Sequence, residues 1–370
     1  MPTLCAAYTP PFPFGTASGH IKYEGASEPV QTGKKFDLSV RSVWGIFLTI
    51  TKEGLKMNLM SPFKLSPAFK DYLWGGRKLV TDFNKNCDFE KVAESWELST
   101  HKDGSSIIAS GVFSGMTFID YIAKYGKDVL GKNALAFDFF PILIKFIDAK
   151  DSLSIQVHPD DEYALKVEGE YGKTEMWYIL DCEDGASLYY GFNREITKQE
   201  FLERINNNTI LEVLNAVPVK KGDVFFIDSG TVHAIGAGIV ICEIQQNSNT
   251  TYRVYDYDRK DKFGNRRELH IGKAADVSVL KPASPTVPYS DPEILAECKY
   301  FNVRKSLVNG LRTFVTYDDC FTSVIVVNGT GTLVMNDTEI KFSKGDSIFI
   351  PAQNSEFTVT GDAELIISRV

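Results

Sequence analysis

Short runs of alternating apolar and polar residues dominate the chain from residue 61 onward and predict strands. ESWELSTHKDGSSIIASG (94–111) alternates and breaks at Asp103-Gly104, a hairpin signal. FDFFPILIKFIDAKDSLSIQVHPDD (137–161) reads as two buried strands around a turn at Lys150-Asp151. KTEMWYIL and SLYYGF continue the strand pattern over 173–193, short β segments follow from 219 to about 258, and 294–370 is strand-like almost throughout. Helical periodicity is confined to two places. One is TFIDYIAKYGKDVLG (117–131), with Thr117 as N-cap and Gly131 as its stop. The other is TKQEFLERINNNTILEVLNA (197–216), open to division near Asn206–Asn208. The pattern predicts a mainly β protein.

A weak internal repeat sharpens that expectation. KKGDVFFIDSGTVHAI (220–235) resembles SKGDSIFIPAQNSEFTV (343–359): a Lys-Gly-Asp turn, an apolar strand, a turn and another strand. Aligning Gly222 with Gly345 sets His233 opposite Glu356. Two copies of a small antiparallel barrel, one with a histidine and one without, produce this pattern. The polar, proline-containing stretch KPASPTVPYSDPE (281–293) reads as the linker between them. Residues 1–56 lack this periodicity and read as an extension ahead of a natural beginning near Met57 or Met60. A docking arm is the alternative reading of that segment.

Composition narrows the function. With 40 basic and 48 acidic side chains the net charge is −8, so no basic excess exists to neutralise nucleic-acid phosphates. No apolar run reaches the length of a membrane span, and no basic segment precedes an apolar one at the N-terminus. Six cysteines, widely spaced and without a C-x-x-C pair, read as reduced thiols in a cytoplasmic protein.

Only five histidines are present, which lets each be weighed. His20 lies in the N-terminal extension, and the polar surroundings of His101 and His270 predict surface positions. His158 and His233 each end or follow an apolar strand. In SIQVHP, Ser154, Gln156 and His158 share one strand face while Ile155 and Val157 point into packing. Glu175 opens the next strand, with Lys173 on its side. Two imidazoles, a carboxylate and an amide oxygen suit a divalent ion of the zinc type with positions left open for substrate. Taken singly, each residue is more often a satisfied core or solvated surface group than a ligand.

Four segments carry a resemblance to a known family: LSIQVHPDDEYA (153–164), GKTEMWYIL (172–180), GTVHAIGAGIVICEIQQNSNTTYRVYDYDR (230–259), and FKDYLWGG with AESWELS near the start. They resemble type I mannose-6-phosphate isomerases of the short bacterial form, in the cupin superfamily. The resemblance spans about residues 57–370. It implies two cupin-type antiparallel jelly-roll barrels with a small helical insertion at about 197–216. The catalytic cupin domain would run from 57 to 285 and a metal-free cupin-like barrel from 286 to 370. It implies one zinc ion per chain, held by Gln156, His158, Glu175 and His233. Arg253 matches the catalytic arginine. Lys173 and Glu243 match charged residues of the sugar-phosphate pocket, and Ser154 matches a pocket serine. Glu243 is the candidate proton relay, with Lys173 as rival or partner, and Arg253 either stabilises the reacting oxygens or grips the phosphate. The expected reaction interconverts mannose 6-phosphate and fructose 6-phosphate by proton transfer between C1 and C2 through an enediolate. Small sugar phosphates are the expected partners, with the oligomeric state open and a monomer the simplest case. Two other readings are an Fe(II) oxygenase-type cupin and a non-catalytic sugar-phosphate-binding protein. Gln156 counts against the first, because a fourth protein ligand fills a position oxygen would need. The second would be favoured had a ligand or Arg253 been lost.

Overall fold

The stretch ILIKFIDA becomes the strand Ile142–Ala149, buried along its whole length, because strands pair with it on both sides and its two faces are covered. It lies inside a six-stranded antiparallel sheet that runs Val224–Ile227, Glu175–Cys182, Ile239–Gln246, Ile142–Ala149, Glu94–Leu98, Ala68–Lys70. A five-stranded antiparallel sheet faces it, in the order Leu214–Pro218, Ser187–Phe192, His233–Ala234, Ile155–Val157, Tyr252–Tyr255. The computed structural model describes residues 38–41, 47–50, 59–261, 263–284 and 288–370.

The chain divides into two units, Met1–Lys52 and Glu53–Val370. In the first, Leu38–Arg41 pairs antiparallel with Phe47–Ile50. The rest of the extension predicted over 1–56 lies outside the described residues. The second unit holds both halves of the β architecture. Its C-terminal half is one eight-stranded sheet in which Asn302–Thr316, Ser355–Arg369 and Thr322–Met335 are adjacent. Both ends of the Thr322–Met335 strand reach the same core: Val324 and Val326 from one end pack with Leu333 and Met335 from the other. The bend falls where Gly310, Gly361 and Gly331 stand in register, and the Phe342 ring occupies the space a side chain at Gly331 would need.

Two expectations need adjustment. The sheets are antiparallel, but no described sheet closes on itself through hydrogen bonds, so the jelly rolls are open sandwiches rather than closed barrels. The five-stranded sheet ends on Leu214–Pro218 and Tyr252–Tyr255 and the six-stranded sheet on Val224–Ile227 and Ala68–Lys70, and among the described residues no ladder joins these edges. The helical insertion is also shorter than predicted. It comprises Lys198–Asn206, capped by Thr197 through a bond from Glu200 N, and a 3-10 turn at Ile210–Val213. Leu214–Pro218 is a strand instead, because Ser187–Phe192 offers it an edge, a partner that local periodicity does not reveal.

The other helix forms as predicted. Thr117 accepts from Asp120 N, the helix runs Phe118–Val129, and Gly131 follows with φ +77°. The C-terminal sheet also recruits N-terminal strands: Phe63–Ser66 pairs with Ser347–Ile350 and in turn with Ile107–Ile108. Of the segment 281–293, Ser284 O accepts from Tyr190 Oη and Glu293 holds Arg312. Among the described residues no helix is long and apolar enough to cross a membrane.

Candidate metal centre and adjoining cavity

Gln156 is the middle residue of Ile155–Val157, and the strand's period of two turns Ile155 and Val157 into the core while Gln156 faces the opposite sheet. It pairs directly with His233 on one side and with Arg253 on the other. Direct cross-strand partners share a face, so the three side chains form one row. Glu175 enters from the facing sheet as the first residue of its strand. His233 Nε2 lies 3.3 Å from one oxygen of Glu175, His158 Nε2 lies 3.7 Å from the other, and Gln156 Nε2 lies 3.3 Å from His233 Nε2. His158, Glu175 and His233 are buried, and their candidate ligand atoms all lie within 4.8 Å of one another.

The ring nitrogens are already assigned by their surroundings. Nδ1 of His158 is 2.9 Å from Thr250 O, and Nδ1 of His233 is 2.9 Å from Thr231 O. A carbonyl oxygen only accepts, so each Nδ1 carries the proton and each Nε2 keeps its lone pair. Burial holds the pKa of both rings down, that of His233 to about 4, so both are neutral near pH 7. His158 Nε2 and both Glu175 oxygens are buried without a hydrogen-bond partner, although Lys173 Nζ stands 2.9 Å from one of those oxygens as an ion pair. Burial drives the Glu175 carboxyl up to about 8 despite that ammonium. A buried carboxyl with inward-facing lone pairs and too little positive charge around it can accept a cation.

Beside this cluster lies a cavity of about 310 Å³. Ser154, Gln156, Lys173, Glu243 and Arg253 line it, so the structure brings every sequence-predicted site residue to the cluster or to the cavity wall. Glu243 comes from Ile239–Gln246, where it pairs with Trp177 on one side and Lys145 on the other. It accepts from Trp177 Nε1 at 3.1 Å and lies 3.4 Å from Lys145 Nζ and 3.9 Å from Lys173 Nζ. Burial pushes its pKa up, but the two ammonium groups and the donated hydrogen bonds outweigh this and bring it down to about 2. Arg253 is half-buried. Its Nη1 donates to Glu268 O, while its Nε is buried without a partner.

The sequence reading missed Lys145, Glu94 and Arg267, which also line the cavity. Lys145 sits among the apolar residues of ILIKFIDA, where a charge between Ile144 and Phe146 was the available signal. It is buried, yet Glu94 and Glu243 hold its pKa up against the cost of desolvation. Arg267 lies past the end of the recognised motif. Asp256 fixes it by accepting from both its Nε and Nη2. Two histidine readings are corrected. His101 is buried at 6% exposure, edge-on to Trp96 and near Glu170, because the Thr100–Ser105 hairpin folds back against the sheet. His270 is half-buried and its Nδ1 accepts from Arg253 N, so it belongs to the strand's edge rather than to open surface. Glu356, aligned with His233 in the second copy, is exposed.

Residues 62–185 match the family model for the phosphomannose isomerase type I catalytic domain, and residues 293–370 match that for the mannose-6-phosphate isomerase cupin domain. Mannose-6-phosphate isomerase ManA of Bacillus subtilis is 39% identical over 317 residues, covering 84% of this chain and 99% of that protein. A mannose-6-phosphate isomerase of Streptococcus mutans is 36% identical over 317 residues, covering 84% and 99%. The crystal structure of the Bacillus subtilis mannose 6-phosphate isomerase superposes with a TM-score of 0.77 at 37% identity, over 84% of this chain and 100% of that one. A phosphomannose isomerase variant from Salmonella typhimurium shares the fold at 18% identity, with a TM-score of 0.68 over 83% and 99% of the two chains. The chain belongs to the type I mannose-6-phosphate isomerase family.

Proposed function

We propose that the protein interconverts mannose 6-phosphate and fructose 6-phosphate in the cytoplasm, with one zinc ion held by Gln156, His158, Glu175 and His233. The observation that carries this reading is the convergence of those four side chains beside a cavity edged by Lys173, Glu243 and Arg253. Zinc ligands about 2.1 Å from the metal lie about 3.4 Å apart around a tetrahedron, close to the spacing here. The Nδ1 bonds of both histidines orient Nε2 toward the same point, as outer contacts do in metal sites. A half-turn of the Gln156 amide puts its oxygen where its nitrogen stands. A bound zinc ion would supply Lewis-acid stabilisation of negative charge on the sugar oxygens. The five described cysteines are free, in keeping with a reducing compartment.

The chain's own groups then divide the work. Glu243 is kept ionised by Lys145 and Lys173, so it stands ready to accept the proton that moves between C1 and C2. Lys173 bridges Glu175 and Glu243 and is its partner in returning that proton. Arg253, the direct neighbour of Gln156 on the cavity wall, has an unpartnered Nε to offer the reacting oxygens. Arg267 supplies a second, fork-shaped cation on the cavity wall for the phosphate, and Ser154 adds a hydroxyl. The comparisons do not favour the oxygenase or the non-catalytic alternative.

The test is a coupled assay with mannose 6-phosphate before and after chelation, followed by separate additions of zinc and other divalent ions. Turnover should vanish with the metal and return best with zinc. Full activity in metal-free protein would overturn the metal assignment, and no turnover at all in metal-loaded protein would overturn the isomerase reading.

A further inference from the structure

The internal repeat can be followed residue by residue through the strand registers. Glu175 pairs with Ile227 in the first half, and Thr322 pairs with Ile350, the repeat equivalent of Ile227, in the second. Trp177, Glu243 and Lys145 stand abreast in one sheet, and Val324, Ile367 and Arg304 stand abreast in the other. Continuing the same registers, Ile147 corresponds to Ser306, Leu143 to Asn302 and Gln245 to Arg369. The second half therefore has its own counterpart of the catalytic floor.

That counterpart borders a cavity of about 540 Å³ lined by Thr322, Arg369, Arg304, Asn302 and Ser306. The carboxylate of the metal cluster is replaced by a threonine, and the proton-relay position by Ile367, so the catalytic groups are gone. Polar character remains. Thr322 is 3% exposed and its hydroxyl is buried without a hydrogen-bond partner, as is Nε of Arg369. A buried hydroxyl and a buried guanidinium N–H without partners cost free energy unless something binds them.

Charge decides the class of ligand. In the catalytic cavity Lys145, Lys173 and Arg267 have carboxylate partners, but Arg253 is bonded to a backbone oxygen, Glu268 O, and has no carboxylate among the described residues. In the second cavity each guanidinium already has a carboxylate: Arg304 with Asp291 at 2.6 Å, Arg312 with Glu293 at 2.7 Å, Arg369 with Asp319 at 2.7 Å. No uncompensated positive charge awaits a phosphate. The free atoms are a hydroxyl that donates and accepts and an N–H that donates, and Phe314 and Tyr317 supply apolar wall. Hydroxyl groups of an uncharged sugar or polyol satisfy both. We infer that the C-terminal half retains, at the position corresponding to the catalytic cavity, a non-catalytic binding site for an uncharged polyhydroxy ligand.

The experiment titrates mannitol, and separately inorganic phosphate, into the metal-loaded full chain by isothermal calorimetry and ligand-observed NMR. Mannitol should saturate with a Kd on the order of 1 mM. Arg253→Ala should keep that binding, because it alters only the catalytic cavity. Thr322→Val and Asn302→Leu should each weaken it at least fivefold, about the worth of one hydrogen bond, while mannose 6-phosphate turnover stays within about twofold of wild type as proof of folding. Absence of saturation, loss of mannitol binding in Arg253→Ala with retention in Thr322→Val, or phosphate binding in place of mannitol would each overturn the inference.

Discussion

Replacing Asp256 by asparagine should weaken both the fold and substrate binding, in amounts the structure sets. Asp256 is 6% exposed at the end of the Tyr252–Tyr255 strand and accepts four bonds: from Arg259 Nε at 3.1 Å and Nη2 at 2.5 Å, and from Arg267 Nε at 2.8 Å and Nη2 at 2.6 Å. Breaking a buried ion pair by removing one partner costs about 3–5 kcal/mol. Here the guanidiniums are 23% and 30% exposed, so water recovers part of the loss, and asparagine keeps one acceptor oxygen. The net cost should be about 2–3 kcal/mol at pH 7. Burial raises the Asp256 pKa, but the two guanidiniums outweigh it and hold the carboxyl below its ordinary value. Its contribution is therefore complete above the unfolded value of about 3.9 and is lost as pH falls through the lower folded value. The gap between wild type and variant should be full at pH 7 and close below about pH 4. Because Arg267 lines the cavity, its release should raise KM for mannose 6-phosphate about tenfold, or 1.4 kcal/mol, with kcat within about threefold. Urea unfolding followed by tryptophan fluorescence, at several pH values, and steady-state kinetics provide the measurements. Equal stability at pH 7, or a fall in kcat with KM unchanged, would show that the Asp256 clamp does not do this.

Glu175→Gln should remove bound metal and reduce turnover by more than about a thousandfold while circular dichroism is unchanged; elemental analysis of the purified variant checks it. Arg253→Ala should lower kcat by about 100-fold with metal content retained, since it lines the cavity and is not in the His158–Glu175–His233 cluster; wild-type kcat would remove it from the reaction. Deleting residues 1–52 should leave kcat/KM within about twofold, because the matched family regions begin at residue 62 and every described site residue belongs to the second unit. Loss of soluble protein or of rate would make that segment structural.

The legible parts of the site were those whose geometry is local. SIQVHP announces a strand with Gln156 on one face, and the structure adds only its partners. Glu175 at a strand start was equally visible. Lys145 was hidden because a charge inside ILIKFIDA is explained by nothing nearby in the chain; its carboxylates come from residues 94 and 243. Arg267 was hidden because its orientation depends on Asp256 and on the return of a loop. His101 was misread for the matching reason: polar neighbours in sequence predict water, but the packing against Trp96 is tertiary.

What the order of residues determined alone was the strand alternation, the helix with its Thr117 cap, the repeat, and the identities of the groups able to bind a metal or carry a proton. Period-two geometry and capping act over a few residues, so they can be read from a few residues. The tertiary structure alone decided that residues 156, 158, 175 and 233 meet, that Leu214–Pro218 becomes a strand, and that the second half keeps a cavity. These follow from pairings between strands far apart in the chain, where the favourable energy lies in the partner and not in the segment itself.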